Sequence, residues 1–309
     1  MRNSLKLCVL ALFVAITACN KGTSDATSED TVTIIHELDT VQVKKNPARV
    51  VALDYASVDN LELLGIKVVG LPKGNLPSHL SKYKDDAEVE DLGQLLEVNF
   101  EKLAALNPDV IFMSERMEKN YAELKKIAPT VFLKTDAKDF LGSFKKISGY
   151  FGQIFDKQDL IDGEVAKVDE KIAALKTVTG AKEGKGLIVM YNNGKMSAFG
   201  PGSRLGMIHD VFGVKQAIVE ADATAKHGQS VSSELIQQTN PDYLFIVDRG
   251  AVVNKKSADK ADIENVLIKQ TNAYKNGKVI YLNPEVWYIS GTSIPTVNKM
   301  IDDISKAFN

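Results

Sequence analysis

From residue 32 onward, short apolar runs alternate with longer amphipathic stretches, and the hydrophobic period switches between two and about 3.6. VTIIHEL from Val32 and a second run from Val41 read as strands. Arg49-VVALD reads as a third, followed by helical spacing through Leu61, Leu63 and Leu64 that stops at Gly65. Strands at Lys67-VVGL and Thr130-VFL flank a helix near Tyr121 to Ile127. From Leu141 to Thr177 the pattern is helical throughout, with Leu160, Ile161, Val165, Val168, Ile172 and Leu175 on one face. A helix from about Lys157 to Thr177 measures about 30 Å at 1.5 Å per residue, enough to bridge two lobes. Beyond it come a strand Gly186-LIVMY, a turn at Asn192-Asn193-Gly194, a last strand Val279-IYL and a C-terminal helix ending at Phe308. Strand and helix in alternation, with short Gly and Pro stops, predict an α/β fold: two lobes, each with a mainly parallel central sheet and flanking helices, joined by one long helix. The expected boundaries are 32–155 for the first lobe, 156–180 for the linker helix and 181–309 for the second lobe.

One unit is written twice. Glu101-KLAALNPDVIFMSE-Arg116 aligns without a gap to Glu234-LIQQTNPDYLFIVD-Arg249, and Glu, Asn-Pro-Asp, a Phe in the apolar run and the terminal Arg recur in register. Each copy predicts a short helix, a stop at Asn-Pro-Asp, and a buried strand that delivers an arginine at its end. Asn99 and Ser232 are good N-caps, so Glu101 and Glu234 sit in first helical turns. Two readings stand there: compensation of the helix dipole, or a two-point docking surface with one carboxylate per lobe.

The N-terminus departs from this pattern. Arg2 and Lys6 precede an apolar run, Leu7 to Ile16, too short to cross a bilayer but suited to a signal-peptide core, and the run ends in the lipobox Ile16-Thr17-Ala18-Cys19. Residues 1–18 are expected to be removed and Cys19 lipidated, with 19–31 as a polar tether. Cleavage would also remove Cys8, which excludes disulfides, cysteine metal sites and a cysteine nucleophile from the mature chain. The formal net charge of −2, from 38 basic and 40 acidic residues, becomes −4 once Arg2 and Lys6 are lost, and it disfavours a nucleic-acid partner.

Lysine supplies nearly all the positive charge; after residue 18 the only arginines are Arg49, Arg116, Arg204 and Arg249. A guanidinium is permanently charged and presents a rigid fork of donors, so sparing use points to places where geometry matters. Arg49 reads as structural. Arg116 and Arg249 follow buried strands, where open α/β sheets bind ligands, and Arg204 follows the loop Gly200-Pro201-Gly202-Ser203. Adjacent Glu115 and Asp248 leave an internal ion pair open as the alternative to an anion site. The glycine loop lacks the Lys-Ser/Thr ending of a phosphate loop, and no Gly-x-Ser-x-Gly elbow is present. His36, His79, His209 and His227 are scattered, which argues against a three-histidine metal cage. His227 stands in a polar loop just before the second repeat. Trp287 and Tyr288 follow the last strand, as either a buried pair at the lobe interface or a ligand wall.

The doubled Glu-x-x-x-x-x-Asn-Pro-Asp on a tethered two-lobe body resembles the helical-backbone class of ABC-transporter substrate-binding proteins for iron siderophores, haem and cobalamin. Within it, SAFGPGSRLGMIHDVFG, KHGQSVSSELIQQTNPDYLFIVDR and IYLNPEVWY resemble the lipoproteins that bind enterochelin and petrobactin. The resemblance implies a monomeric, non-enzymatic binding protein with no permanent cofactor, carrying Fe(III) only as a siderophore complex. Its membrane contact would be the lipid anchor alone, facing the periplasm or the cell exterior. It makes Arg116, Arg204 and Arg249 the cationic floor under a ferric catecholate, with Trp287 beside it, and His227 and Tyr288 iron ligands. It makes Glu101 and Glu234 the contacts of the ABC permease. A tetradentate bis-catecholate leaves two of iron's six positions open, which one imidazole and one phenolate would fill. The second lobe would then supply the iron chemistry and the first would mainly close the cleft. Haem or cobalamin binding on the same fold, a surface lipoprotein hydrolase, and an adhesion lipoprotein are the alternatives.

Overall fold

The computed structural model describes residues 30–217 and 228–308. The described residues open with an antiparallel hairpin, β1 (Thr31–His36) on β2 (Asp39–Lys44). Then follow β3 (Val50–Ala52), α1 (Tyr55–Leu63), β4 (Val68–Leu71), the short strands β5 (Glu90–Asp91), β6 (Gly93–Gln94) and β7 (Glu97–Val98), and α2 (Phe100–Ala105). The first lobe continues through β8 (Val110–Ser114), α3 (Tyr121–Leu124), β9 (Thr130–Leu133) and α4 (Phe140–Ile154). Its five-stranded sheet runs β5-β4-β3-β8-β9, parallel throughout.

The 23-residue α5 (Gln158–Gly180) leads to the second sheet and is about 34 Å long at 1.5 Å per residue. It is separate from α4: the helical pattern breaks at Asp156, whose φ is 49°. The second lobe holds β10 (Gly186–Asn192), β11 (Lys195–Phe199), α6 (Met207–Asp210), β12 (Gln229–Val231), α7 (Ser233–Thr239), β13 (Tyr243–Asp248), α8 (Arg249–Val253), α9 (Lys260–Ile263), α10 (Asn272–Lys275), β14 (Val279–Leu282) and α11 (Ile294–Phe308). Here the order is β12-β11-β10-β13-β14. The expected turn folds β11 back antiparallel onto β10, with Asn193 at φ 50° and Gly194 at φ 82°.

The repeated Asn-Pro-Asp acquires a mechanical meaning. Asn107 and Asn240 take left-handed backbones, φ 44° and 45°, which Asn tolerates and which end α2 and α7. Proline then prevents the helix from resuming. Each Asp staples the start of the neighbouring strand: Asp109 accepts from the Ala48 and Arg49 amides at 2.9 and 2.7 Å, and Asp242 accepts from the Lys185 amide at 2.9 Å. Arg49 is structural as expected, its Nε donating to the Leu106 carbonyl at 2.6 Å at the end of α2.

Successive strand residues point to opposite faces. On the outer face of each sheet lies a private core, with Val51, Ile111 and Met113 in the first lobe and Leu187, Val189 and Ile246 in the second. The inner faces share one core with α4, α5 and α11, in which Phe112 stacks on Phe151 at 4.7 Å. The last helix is therefore a second connection between lobes, since α11 packs on both α5 and α1.

Candidate functional site

A cleft of about 900 Å³ opens at the carboxyl ends of the central strands of both sheets. It is lined from the first lobe by Ser114, Arg116 and Lys134, and from the second by Asn192, Arg204 and Arg249, with Tyr288 between them. Parallel strands followed by helices or turns leave their carboxyl ends ringed by loops, which is why the side chains converge there.

Three guanidinium groups meet on one tyrosine. Arg116 Nη2 and Arg204 Nη2 donate to the Tyr288 carbonyl at 2.6 and 2.7 Å, and Arg249 Nε donates to the Tyr288 hydroxyl at 2.7 Å. All three also lie over its ring, Arg204 nearest at 4.4 Å from the centroid. Arg249 Nη1 reaches Asn192 Oδ1 at 3.1 Å. The internal ion-pair alternative is not what forms. Asp248 caps α8 through the Ala251 amide and accepts from Ala258, and among the described residues none of the three arginines pairs with a carboxylate.

Positive charge is thus concentrated beyond what its neighbours neutralise. Burial lowers the Arg204 pKa, and repulsion from Arg116 lowers it further. For Tyr288, burial pushes the phenol up, but the hydrogen bond from Arg249 and the charges of Arg249, Arg204 and Arg116 outweigh it and leave it below its ordinary value. A half-buried site in which cations outnumber their neutralising partners attracts negative charge. Asp54, at the cleft edge, does not supply the missing anion. Burial raises its pKa, and both its oxygens are held by Ser57 as the N-cap of α1.

The other predicted residues fall into three groups. Trp287 borders the cleft but shows no open face: it is 3% exposed, lies edge-on to Phe212, and donates from Nε1 to Asp303 at 3.0 Å. That is the buried-pair reading, with the indole backing the wall. Glu101 and Glu234 are exposed in the first turns of α2 and α7, where Asn99 and Ser232 cap the helices as expected. The hydrogen bond from Ser232 lowers the Glu234 pKa. His227, Cys8 and Cys19 lie outside the described residues. His36 and His209 are internal, bonded to the Thr130 and Val214 carbonyls, and His79 pairs with Asp59 at 2.8 Å. Among the described residues no three of His, Cys, Asp and Glu cluster as a metal site would require, and no helix is long and apolar enough to cross a membrane.

Sequence reasoning missed Asn192 as a partner of Arg249, although Asn192 stood in the turn that ends β10. Arg116 crosses the cleft to bind the backbone of Tyr288, so the site is built jointly.

Two lobes joined by α5 enclose a ligand-sized cleft at the carboxyl ends of their sheets, a frame suited to capturing a small ligand. The chain belongs to the periplasmic binding protein family, whose model matches residues 50–286. It is 44% identical to the petrobactin-binding protein YclQ of Bacillus subtilis (strain 168), with 97% of both chains covered. It is 38% identical to the ferric-anguibactin-binding protein FatB of Vibrio anguillarum (strain ATCC 68554 / 775), over 97% of this chain and 96% of that one. The crystal structure of YclQ superposes with a TM-score of 0.87 over 91% of this chain and 99% of that chain. The periplasmic catecholate-siderophore binding protein VctP from Vibrio cholerae superposes with 0.85 at 30% identity, covering 90% of this chain and all of the other.

Proposed function

We propose that this protein captures ferric catecholate siderophores, preferentially tetradentate bis-catecholates, in the cleft between its lobes and delivers them to an ABC permease. The convergence of Arg116, Arg204 and Arg249 on Tyr288 carries the reading. Iron(III) with two catecholates has a net charge of −1, and with three, −3; both suit a partly desolvated site with three permanent cations. Tyr288 would enter the coordination sphere as a phenolate, which the surrounding arginines already favour. His227 would take the remaining position. Relatives named for petrobactin, ferric anguibactin and catecholate siderophores support the ligand class.

Glu101 and Glu234, one exposed on each lobe, would meet matched arginines on the permease. Cys19 would carry the lipid anchor, residues 32–155 and 181–309 would act as lobes about the 156–180 helix, and the working unit would be a monomer. Three arginines and a buried indole favour this over a flat aromatic cleft for haem or cobalamin.

The test is a titration of the purified protein with the ferric complex of a linear bis-catecholate, following Trp287 emission and the visible charge-transfer band together. Quenching with a shifted band is expected, and haem and cyanocobalamin should leave the emission little changed. Quenching by either of those and not by the ferric catecholate would overturn the reading.

A further inference from the structure

Tyr288 sits on the segment that follows β14, yet much of what holds that segment comes from the first lobe. At its start, Glu285 Oε2 accepts from the Ser78 amide at 3.0 Å and from the Ser78 hydroxyl at 2.5 Å. In its middle, Arg116 holds the Tyr288 carbonyl. At its end, Asp59 of α1, 3% exposed, accepts from the hydroxyls of Ser293 and Thr296 at 3.1 and 2.9 Å, while the neighbouring Asn60 Oδ1 accepts from the Ile294 amide at 3.0 Å. Between these points Gly291 runs against α1 with φ 77°, and a Cβ there would stand 3.2 Å from the Ala56 Cβ.

These contacts are too specific for a passive linker. The Ser293 hydroxyl oxygen also accepts from the Thr296 amide at 3.1 Å, so it caps α11 while it is itself anchored on the other lobe. A carboxylate buried at a helix start is favoured by the helix dipole, and Asp59 is held from its other oxygen by His79 at 2.8 Å. Within the strap, residues 285–289 form a π-helical turn closed by the Ser290 amide on the Glu285 carbonyl at 2.8 Å. That wider turn is the local feature carrying Tyr288, and π-turns of this kind recur at functional positions.

We infer that residues 283–296 form a strap belonging to both lobes, and that Glu285 within it and Asp59 on α1, which anchor it before and after Tyr288, are positioning residues that fix the phenol relative to the bound metal. Neither residue lines the cleft. Each acts by pinning one end of the strap to the first lobe, so the metal-binding phenol registers how the two lobes are set. The inference rests on the reading of Tyr288 as a metal ligand.

The experiment compares Asp59→Ala, Asp59→Asn, Glu285→Ala and Tyr288→Phe in the full chain, measuring affinity for the ferric bis-catecholate and the position of its charge-transfer band. Asp59→Ala is expected to weaken binding about tenfold, the equivalent of one charge-assisted hydrogen bond, and to move the band toward that of free complex. Asp59→Asn keeps an acceptor for the hydroxyls and should restore both. Glu285→Ala, at a more exposed site, should cost about threefold, and it tests the inference even where Asp59→Ala fails to fold. Wild-type affinity and band in both alanine variants, or equal losses in Asp59→Asn and Asp59→Ala, would overturn it. If Tyr288→Phe leaves affinity and band unchanged, the metal-ligand reading fails separately. The strap is then judged by hydrogen exchange of amides 285–296, which should quicken in Asp59→Ala and Glu285→Ala; unchanged exchange sinks the inference.

Discussion

At the scale of single residues, Tyr288 concentrates the chemistry. Its ring, hydroxyl and carbonyl are each engaged by arginine, and the arginines have no carboxylate to satisfy them among the described residues. The phenol should therefore be an early tyrosine to ionise. Ultraviolet difference titration of ligand-free protein is expected to show a phase below the ordinary phenol value of 10.0, and Tyr288→Phe should remove it. Because the folded value lies below the unfolded one, folding gains stability as pH rises between the two, and the Phe variant loses that gain. The arginines themselves were readable in advance, since a chain that uses lysine nearly everywhere reserves few positions for guanidinium. Their meeting point was not. Nothing local in Asn-Pro-Glu-Val-Trp-Tyr says that a carbonyl there will take two donors from different lobes.

At the scale of elements, the doubled unit was legible because its determinants are local. A cap, an amphipathic turn, Asn-Pro-Asp and an apolar run lie within the eighteen positions from Asn99 to Arg116, and again from Ser232 to Arg249, and each acts on near neighbours. The left-handed Asn107 and Asn240 make a direct check possible. Replacing either with Ala should cost about 1 kcal/mol, because Ala keeps the Cβ strain of a left-handed backbone but loses the side-chain amide that offsets it in Asn, while Gly, with no Cβ, should be nearly neutral; urea melts of the four variants read the difference. Legibility failed where an element depends on distant chain. The segment after β14 showed only Trp287 and Tyr288 following the last strand, and nothing in the sequence marked Asp59. Their pairing joins residues 234 positions apart, which no periodicity encodes.

At the scale of the whole molecule, the inner core is continuous from one sheet to the other through α4, α5 and α11. Thermal unfolding is expected to be one transition, with calorimetric and van't Hoff enthalpies in agreement, although the chain has two lobes. His36 is buried in the first lobe, edge-on to Tyr121 and Phe132, and His209 is held against the Val214 carbonyl in the second. Burial holds both below the ordinary value of 6.5. As pH falls through 6.5 the unfolded chain takes up protons that the folded one refuses. Stability should drop below that point, then level off beneath the folded values, and His209→Gln should flatten part of the slope in melts run from pH 7 to 4.

The position of α11 also bears on how this molecule comes into being. Its fifteen residues come after every other described element, yet they pack on α1, one of the earliest described elements in the chain. Growing from its N-terminus, the chain can form its early hairpin and strands but cannot close its first lobe. Until α11 is made, a growing polypeptide of this design leaves that face of α1 uncovered and open to chaperones.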